Sequence, residues 1–386
     1  MINSRTKRQY DALDRWEQAG YIGTLIAQTG FGKTYMSMLA IQGMIWKQNI
    51  TSVTVIVPTI DLKTQWEEEL AKNNIDIAQV FVVNTASKYW DVIGCDLLII
   101  DEYHTVASRH FRKVLDINHK YLLTLTATVT RTDGLHTYLL ERAPIFDTIG
   151  LQECLDNEWI SEFVIYNIPV EMPKIDMMVY KEHDKKFRQL ATNISGINEA
   201  NYFLNSGNKK KAGQAARYYK YLRLRKDVCK NNSNKHAIVE RIVDCFPDVY
   251  GIIFNPSIDF AKQVEVDLGD KCLAYHSKIS KKKREQIITK FKDESTSVRL
   301  LSTVSTLDAG FNHPKSSLGI ITSGNSSQLT NIQRTGRLVR KHPNKQGIIV
   351  NLYSPDTQEV AWLESRLKGV KVVNITIEEF EALYKQ

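Results

Sequence analysis

The stretch AQTGFGKTYMSML, from Ala27 to Leu39, places two glycines and a lysine between an apolar run and a run of helix-forming residues. The apolar YIGTLI precedes it, so the pattern predicts a strand, a tight loop and a helix. Gly30 and Gly32 would let successive backbone N–H groups turn toward a phosphate, because no Cβ blocks the approach. We therefore expect a phosphate-binding loop. The alternative is an ordinary glycine-rich turn that caps a helix.

The polar residues of this loop have expected ligands. Lys33 would reach the β- and γ-phosphates of a nucleotide, and Thr34 would place its hydroxyl on Mg²⁺. The strict pattern GxxxxGK[ST] begins with glycine, whereas this chain has Ala27 at that position. The residues that we expect to bind nucleotide here are Thr29, Gly30, Gly32, Lys33 and Thr34.

A second motif, LLIIDEYH at residues 97–104, ends an apolar run in two carboxylates. Asp101 would lie at the carboxyl end of a strand, where open parallel sheets bind ligands, and would hold Mg²⁺ through a water. Glu102 would polarise the attacking water. In isolation the same pattern is also typical of a solvated acidic turn, but its position about 70 residues after the glycine-rich loop favours a shared site.

Short β-branched runs alternate with helix-length stretches in both halves of the chain, which predicts buried parallel strands. The runs are 52–58, 78–84, 96–101 and 121–127 in the first half and 250–255, 271–276, 298–303, 318–322 and 347–353 in the second. Two blocks of strands with crossovers predict an α/β fold with two doubly wound parallel sheets. The expected domains are a first lobe at 1–150, a linker with a basic, mostly helical segment at 151–235, and a second lobe at 236–386.

Positive charge is concentrated in one part of the chain. The protein has 51 Lys and Arg against 43 Asp and Glu, a net charge of +8. Residues 174–235 alone contain fifteen basic and five acidic residues. This distribution favours a polyanionic partner such as a nucleic acid.

The tyrosines in RYYKYLRLRK, residues 217–226, have two interpretations. Interleaved with cations, they suit phosphate contacts with base or sugar stacking. At helical spacing Tyr218, Tyr221 and Leu222 would instead form a buried face, with the cations extending outward. The run Lys209-Lys210-Lys211 follows NSGN, which predicts a mobile loop that grips a duplex backbone.

Composition argues against membrane, secreted and zinc-binding classes. No apolar run of about 18 residues is present, and the N-terminal residues lack the pattern of a secretory signal. The five cysteines are scattered and contain no CxxC pair, which is typical of reduced thiols. We expect a cytoplasmic protein, in the host cytoplasm if it is phage-encoded.

Together these motifs resemble those of superfamily 2 helicases and translocases of the DExH type. AQTGFGKT resembles motif I, and DEYH resembles motif II, with His104 giving the subtype. TKRQYDALDRW at 6–16 resembles the adenine-reading glutamine motif, which implies that Gln9 contacts the base. VPTIDLKTQW at 57–66 and VVNTASK at 82–88 resemble backbone-contacting motifs, which implies nucleic-acid contacts for Pro58, Thr59 and Thr85.

The resemblance continues through the rest of the chain. LTATVTR at 125–131 resembles motif III, in which Thr126 and Thr128 would link the nucleotide site to the nucleic-acid track. Arg131 begins Arg131-Thr132-Asp133, at the place of the Arg-Glu-Asp element of XPB-type proteins. GIIFNPSIDFAKQV, STVSTLDAGFNHP and QRTGRLVR resemble motifs IV, V and VI. The implied contacts are Asn255, Thr303 and Arg131 to nucleic acid, and Gly310, Gln333, Arg337 and Arg340 to the nucleotide.

Within the superfamily, TATVTRTDG and DAGFNHP are most similar to the branch that contains XPB, RadD and the phage UvsW-type branch-migration enzymes. The resemblance implies two RecA-like lobes with ATP and Mg²⁺ in the cleft between them. Lys33, Asp101 and Glu102 would then act on ATP from one lobe, and Arg337 and Arg340 would act as arginine fingers from the other. The implied partner is duplex or branched DNA.

Three alternatives stay open at this point. An RNA helicase would use the same motor, since such motors hold the phosphate backbone. A nucleotide-dependent binding switch would not need Glu102, Arg337 and Arg340 together. The third alternative is that the chain is the motor subunit of a larger complex. Any nuclease activity of that complex would then belong to another chain.

Overall fold

The fold was analysed in a computed structural model, which describes residues 3–108, 110–127, 135–304, 315–324, 346–367 and 370–385. The chain divides into two compact units. The first contains the described residues up to Phe163, and the second contains most of those from Val164 onward. Among the helices described, none is long and apolar enough to cross a membrane.

The first unit is built on a six-stranded sheet in which every pairing is parallel. Its order is β3-β2-β4-β5-β1-β6, so β1 and β4 are separated only by β5. Their carboxyl ends therefore lie close together at one edge of the sheet. The strands are β1 Ile22–Ala27, β2 Val53–Val57, β3 Ala78–Val82, β4 Gly94–Ile100, β5 Asn118–Thr126 and β6 Ile145–Ile149.

Helices cover both faces of this sheet, which explains why its central strands bury side chains on both faces rather than on one. In β4, for example, Leu97 and Ile99 pack into one core and Leu98 and Ile100 into another. The helices are α1 Ser4–Gln18, α2 Lys33–Gln48, α3 Ile60–Lys72, α4 Val83–Ala86, α5 His136–Arg142 and α6 Leu151–Asp156. Two short 3₁₀ turns, Tyr103–Ala107 and Phe111–Asp116, complete the described elements.

The second unit is built on a seven-stranded sheet with the order β13-β7-β12-β11-β8-β10-β9. Its strands are β7 Phe163–Pro169, β8 Gly251–Phe254, β9 Cys272–Tyr275, β10 Leu300–Thr303, β11 Leu318–Ile321, β12 Gly347–Tyr353 and β13 Val373–Asn374. The central strands β11, β8, β10 and β9 are parallel to one another. The predicted fold class, two α/β units with parallel sheets, is confirmed.

Three helices of the basic segment pack together within the second unit. They are α7 Lys174–Ala191, α8 Ile197–Asn205 and α9 Lys209–Lys230, and their shared core includes Ala215 and Tyr218. Asp184 of α7 accepts from Arg225 of α9 at 2.7 Å, which joins the two longest helices. The remaining helices are α10 Asn234–Asp244, α11 Ile258–Leu268, α12 Lys281–Lys292, α13 Gln358–Arg366 and α14 Ile377–Tyr384, with a 3₁₀ turn at Gly269–Lys271.

A buried ion pair ties the basic helices to the sheet of the second unit. Lys235 follows α9 and is fully buried, and its Nζ donates to Glu359 Oε2 at 2.7 Å. The Ser323 hydroxyl donates to Glu359 Oε1 at 2.6 Å, and the Ser354 backbone N–H donates to Oε2 at 2.8 Å. The carboxylate therefore connects the start of α10 with the chain after β11 and after β12.

Replacing Glu359 tests how much this ion pair contributes to the stability of the second unit. Glu359→Ala leaves the Lys235 charge buried without its partner, so we expect the free energy of unfolding of the second unit to fall by about 3–5 kcal/mol. Glu364→Ala is the control, because Glu364 is an exposed residue of the same helix, α13. Urea unfolding of both variants measures the difference. Equal stability of the two variants would show that the Glu359 ion pair does not stabilise the second unit.

Candidate active site

The loop between β1 and α2 turns through two left-handed residues. Gly30 and Gly32 both have φ of +95°, a conformation that other residues adopt only with strain. A Cβ at Gly32 would lie 2.9 Å from Gln9 Nε2, and one at Gly30 would lie 3.1 Å from Ile160 Cγ2. The backbone conformation therefore favours glycine at Gly32, and a Cβ there would also require the Gln9 amide to move.

The helix that follows this loop begins without a side-chain cap at Gly32, so its first backbone N–H groups are available to an anion. Lys33 and Thr34, both half-buried, form its first turn. Lys33 Nζ donates to the Ala27 carbonyl oxygen at 3.0 Å. Ala27, which replaces the glycine of the strict motif, is fully buried and supplies this acceptor through its backbone.

Gln9 of α1 lies against the loop rather than on the surface. It is 1% exposed, and its Nε2 donates to the carbonyl oxygens of Phe31 at 3.2 Å and Gly32 at 3.3 Å. Its Oε1 is buried and has no hydrogen-bond partner among the described residues. Gln9 therefore supports the loop backbone and leaves one buried acceptor unsatisfied.

Asp101 is a buried carboxylate at the carboxyl end of β4. Its Oδ2 accepts from the Trp66 indole N–H at 3.0 Å, and its Oδ1 accepts from the Glu102 backbone N–H at 2.9 Å. Burial raises the pKa of Asp101, and the Glu102 carboxylate adds to the rise, whereas the Lys33 ammonium and the Trp66 hydrogen bond oppose it. A cation in contact with this carboxylate would compensate the cost of its burial.

Glu102 follows in the left-handed region, with φ of +50°. Its Oε2 lies 3.4 Å from Nδ1 of His104, and the same nitrogen lies 3.2 Å from Thr126 Oγ1. Thr126 ends β5, the strand between β4 and β1. His104 thus lies between the second acidic residue and Thr126 at the neighbouring strand end.

Further predicted residues lie at the same edge of the first sheet. Pro58 and Thr59 follow β2, and Thr59 caps α3 by accepting from the Leu62 N–H at 3.3 Å. Thr85 lies in α4, after β3, and is exposed. Because β3, β2 and β4 are neighbours, these residues continue the edge that carries Asp101.

Asn255 and Thr303 lie inside the second unit, with each residue 1% exposed. The Asn255 Nδ2 donates to Ser302 Oγ at 2.8 Å, and its Oδ1 accepts from Thr322 Oγ1 at 3.1 Å. The backbone N–H of Asn255 donates to the Thr303 carbonyl oxygen. In this structure both residues join neighbouring strand ends, and their side chains are not on the surface.

Lys209, Lys210 and Lys211 form the exposed first turn of α9, so the prediction of a loop was wrong. The cause is Asn208, whose side chain accepts from the backbone N–H groups of Lys210 at 3.0 Å and Lys211 at 3.2 Å. Such a cap starts a helix. Tyr218 of the same helix is buried in the bundle core, as the packing interpretation of the tyrosines predicted.

Sequence reasoning missed two tryptophans. Trp66 ends the stretch VPTIDLKTQW, and its indole N–H donates to the Asp101 carboxylate. Trp362 of α13 lines a groove of about 780 Å³ together with Tyr219, Lys220, Arg223 and Lys226 of α9. Burial lowers the pKa of Lys226, and neighbouring Lys230 adds to this effect. Only the long-range packing of α13 on α9 brings these aromatic and cationic groups together.

Several predicted site residues lie outside the described ranges. These are Thr128, Arg131, Gly310, Gln333, Arg337 and Arg340. Their assignments stay predictions from the sequence.

Two family models match this chain. The model described as helicase conserved C-terminal domain matches residues 235–342. The model described as type III restriction enzyme, res subunit, matches residues 4–93. The first-half match includes the glycine-rich loop, and the second-half match includes QRTGRLVR, whereas the motifs at 97–104 and 125–131 lie between the two matched ranges.

Curated relatives and solved structures give a consistent picture. The chain is 24% identical to DNA 3'-5' translocase XPB2 of Sulfurisphaera tokodaii, over 87% of this chain and 79% of the relative. It is 22% identical to putative DNA 3'-5' helicase Rad25 of Halobacterium salinarum, over 97% of this chain but only 58% of the relative. S. cerevisiae Dbp5 bound to RNA and ADP BeF3 has a TM-score of 0.62 at 15% identity, covering 98% of this chain and 91% of that one. The fold is thus that of two RecA-like lobes.

The loop geometry predicts opposite effects for two glycine substitutions. Gly32→Ala should destabilise the protein by at least about 1–2 kcal/mol, because alanine is strained at positive φ and its Cβ meets Gln9. It should also weaken binding of a fluorescent ATP analogue.

The control is Gly43→Ala in the interior of α2, where a Cβ meets nothing within 4 Å. This variant should gain about 0.5–1 kcal/mol and bind the analogue normally. Thermal unfolding and analogue titration measure both effects. Normal binding by Gly32→Ala would contradict the assigned role of the loop.

Proposed function

This chain belongs to superfamily 2 of the helicases and translocases, and we propose that it couples ATP hydrolysis to movement along, or remodelling of, duplex or branched DNA. The observation that carries the proposal is the convergence of the glycine-rich loop and the acidic pair at one sheet edge. Pairing in parallel on both sides of β5 brings the ends of β1 and β4 together. Open parallel sheets bind ligands at such an edge.

The residues present fit a nucleotide with Mg²⁺. The first turn of α2 offers uncapped backbone N–H groups, and Lys33 adds a cation whose bond to Ala27 can be exchanged for a phosphate oxygen. Asp101 is a buried carboxylate beside Lys33, and Thr34 would supply a hydroxyl to the metal. When bound, Mg²⁺ would neutralise charge on the phosphates. The unsatisfied Oε1 of Gln9 would accept from the amino group of adenine.

Glu102 is the proposed general base. Its Oε2 lies 3.4 Å from His104 Nδ1 and is buried without a hydrogen-bond partner among the described residues. It would accept the proton of the attacking water, and His104 would connect this event to Thr126 at the end of β5. Lys33 and Asp101 complete the catalytic residues of the first lobe.

The second lobe would contribute the remaining catalytic groups. We propose Arg337 and Arg340 as arginine fingers, with Gln333 and Gly310 as further nucleotide contacts. Arginine suits this role because it is always charged and its planar fork matches phosphate oxygens. The proposed functional division is 1–150 for the ATP-binding lobe, 151–235 for the basic segment and 236–386 for the second lobe.

Nucleic acid is proposed to contact both units separately. In the first unit, Pro58, Thr59 and Thr85 continue the edge that carries Asp101, and Trp66 of α3 connects the helix after Thr59 to that carboxylate. In the second unit, Lys209, Lys210 and Lys211 are exposed, with Lys211 Nζ over the Phe203 ring, and the Trp362 groove combines an aromatic face with cations. Arg131 is a further proposed contact. For Asn255 and Thr303, burial supports a structural role.

The test is the ATPase rate with matched single-stranded DNA, duplex, fork, Holliday junction and RNA. We expect DNA to stimulate hydrolysis, most strongly as duplex or branched substrates. Lys33→Ala should remove hydrolysis with every substrate, since it removes the phosphate ligand of the loop. Stimulation by RNA alone would show that the protein acts on RNA and not on DNA. Equal rates without any nucleic acid would favour a binding switch.

The three lysines at the start of α9 give a quantitative prediction. Replacing all three with alanine should lower DNA affinity uniformly across sequences. The slope of log affinity against log salt should become shallower by up to about 3, because each lost phosphate contact removes about 0.9. The matched control replaces the same lysines with arginine, which keeps the charge. Unchanged slope in the alanine variant would exclude these lysines from the interface.

A further inference from the structure

The groove that contains Trp362 lies within the second unit and is lined mainly by α9, with one residue each from α8 and α13. Two of its residues are aromatic, three are cationic and none is acidic. Aromatic rings beside cations are typical of sites that hold single-stranded nucleic acid, because bases stack on the rings and phosphates pair with the cations. The lining consists of Ile197, Ala216, Tyr219, Lys220, Leu222, Arg223, Lys226 and Trp362.

Both aromatic residues of the groove are held by contacts to other elements. The Tyr219 hydroxyl donates to Asn201 Oδ1 of α8 at 2.8 Å. The helix that carries Trp362 is fixed at its start, where the Gln358 backbone N–H donates to the Tyr180 hydroxyl of α7 at 2.8 Å. The groove is therefore formed before a ligand binds, and binding requires little further ordering of these rings.

The cations of the groove lack acidic partners. In the described part of the chain, none of the three forms an ion pair. Lys226 Nζ lies over the Trp362 ring, 5.4 Å from its centroid. Burial lowers the pKa of Lys226, and neighbouring Lys230 lowers it further, whereas Asp227 opposes the change. A phosphate close to Lys226 would offset the cost of burying its charge.

The rings of the groove favour a single strand over a duplex. In duplex DNA the flat faces of the bases are stacked on one another, so that a protein reaches only the base edges and the backbone. An unpaired base exposes its face and can stack on an aromatic side chain. Trp362 and Tyr219 therefore suit a strand whose bases are unpaired.

The groove shares one side of α9 with the first of the three exposed lysines. Lys209, Lys220 and Arg223 follow the spacing i, i+11 and i+14, which places them on one side of the helix, and all three are exposed. At 1.5 Å per residue, Lys209 and Lys220 are about 16 Å apart along the helix axis. This distance corresponds to about five base-pair steps of duplex DNA. One helix thus offers cations at its start and a stacking groove further along.

We propose that this groove binds the single-stranded part of a branched DNA, with a base stacked on Trp362 and the adjoining phosphates on the three cations. The lysines at the start of α9 then hold the neighbouring duplex. The inference rests on the proposed function, because it names the part of the DNA substrate that the second unit recognises. That part is a junction of single and double strand rather than continuous duplex.

The probes are a fluorescein-labelled thymidine strand of about 12 nucleotides, within the usual range of single-strand site sizes, a blunt duplex and a fork. Fluorescence anisotropy measures their binding to the full chain. Trp362→Ala should weaken binding of the strand and the fork by about fivefold or more, because it removes a stacking platform. Binding of the blunt duplex should stay unchanged. Trp46→Ala is the matched control, since Trp46 is 87% exposed and belongs to α2 of the first unit, and it should change no affinity.

An abasic strand of the same length separates stacking from charge and needs no variant. It keeps the phosphates but lacks the bases, so the unaltered chain should bind it about fivefold or more weakly than the thymidine strand. Trp362→Ala should not weaken binding of the abasic strand further. Trp362→Phe keeps a ring and should bind the thymidine strand almost normally. Arg223→Ala should make the slope of log affinity against log salt shallower by about 0.7 for this strand.

The binding assays contain no nucleotide, so they do not depend on the proposed ATP site. DNA-stimulated ATP hydrolysis together with equal binding of the thymidine and abasic strands would overturn the inference and leave the proposed function intact. Trp362-dependent binding of the thymidine strand without any ATP hydrolysis would support the groove and contradict the proposed motor.

Three further outcomes would overturn the inference. One is an equal loss of affinity for the thymidine strand and the blunt duplex in Trp362→Ala. Another is a loss in Trp46→Ala equal to that in Trp362→Ala. The third is Trp362-dependent binding of a glutamate-rich peptide without binding of the thymidine strand, which would show that the groove binds a protein partner.

Discussion

The backbone between β1 and α2 must turn through two left-handed residues within three positions, and the proposed site depends on this turn. With φ of +95° at Gly30 and Gly32, the chain leaves the sheet edge and enters α2 with its first N–H groups uncapped. Gln9 holds the loop from the other side through two carbonyl oxygens. A larger residue at Gly32 would displace Gln9, so loop shape and α1 packing constrain each other.

A continuous set of contacts leads from this loop across the sheet edge. Lys33 and Asp101 influence one another electrostatically, Trp66 binds Asp101, and Glu102 approaches His104. Trp66 belongs to the helix that begins directly after Thr59. A change in the charge near Asp101 therefore acts directly on the helix that follows the proposed nucleic-acid contacts. A nucleic-acid motor requires such a connection between its nucleotide site and its nucleic-acid contacts.

Much of the fold followed from local patterns. The apolar, β-branched runs predicted the principal strands of both sheets, and the strand–loop–helix context predicted the turn at Gly30 and Gly32. The position of Asp101 was also predictable, because a residue that directly follows a parallel strand lies at the carboxyl edge of the sheet. These features are set by residues close in sequence, so periodicity and spacing reveal them.

Other features depend on distant residues or on one capping side chain. The run NSGNKKK is typical of a loop, yet Asn208 caps a helix that starts at Lys209. Trp66 meets Asp101 across 35 positions of sequence, and Trp362 meets Lys226 of α9 although the two residues are distant in sequence. Burial of Gln9 follows from the packing of α1 on the loop. No local pattern encodes such contacts.

The most direct test of the central claim is a crystal structure with Mg²⁺ and a non-hydrolysable ATP analogue. The account predicts that Lys33 Nζ leaves the Ala27 carbonyl oxygen, which it contacts at 3.0 Å, and binds a phosphate oxygen, with Mg²⁺ close to Thr34 and Asp101. A nucleotide bound elsewhere, with the Lys33–Ala27 hydrogen bond intact, would contradict it.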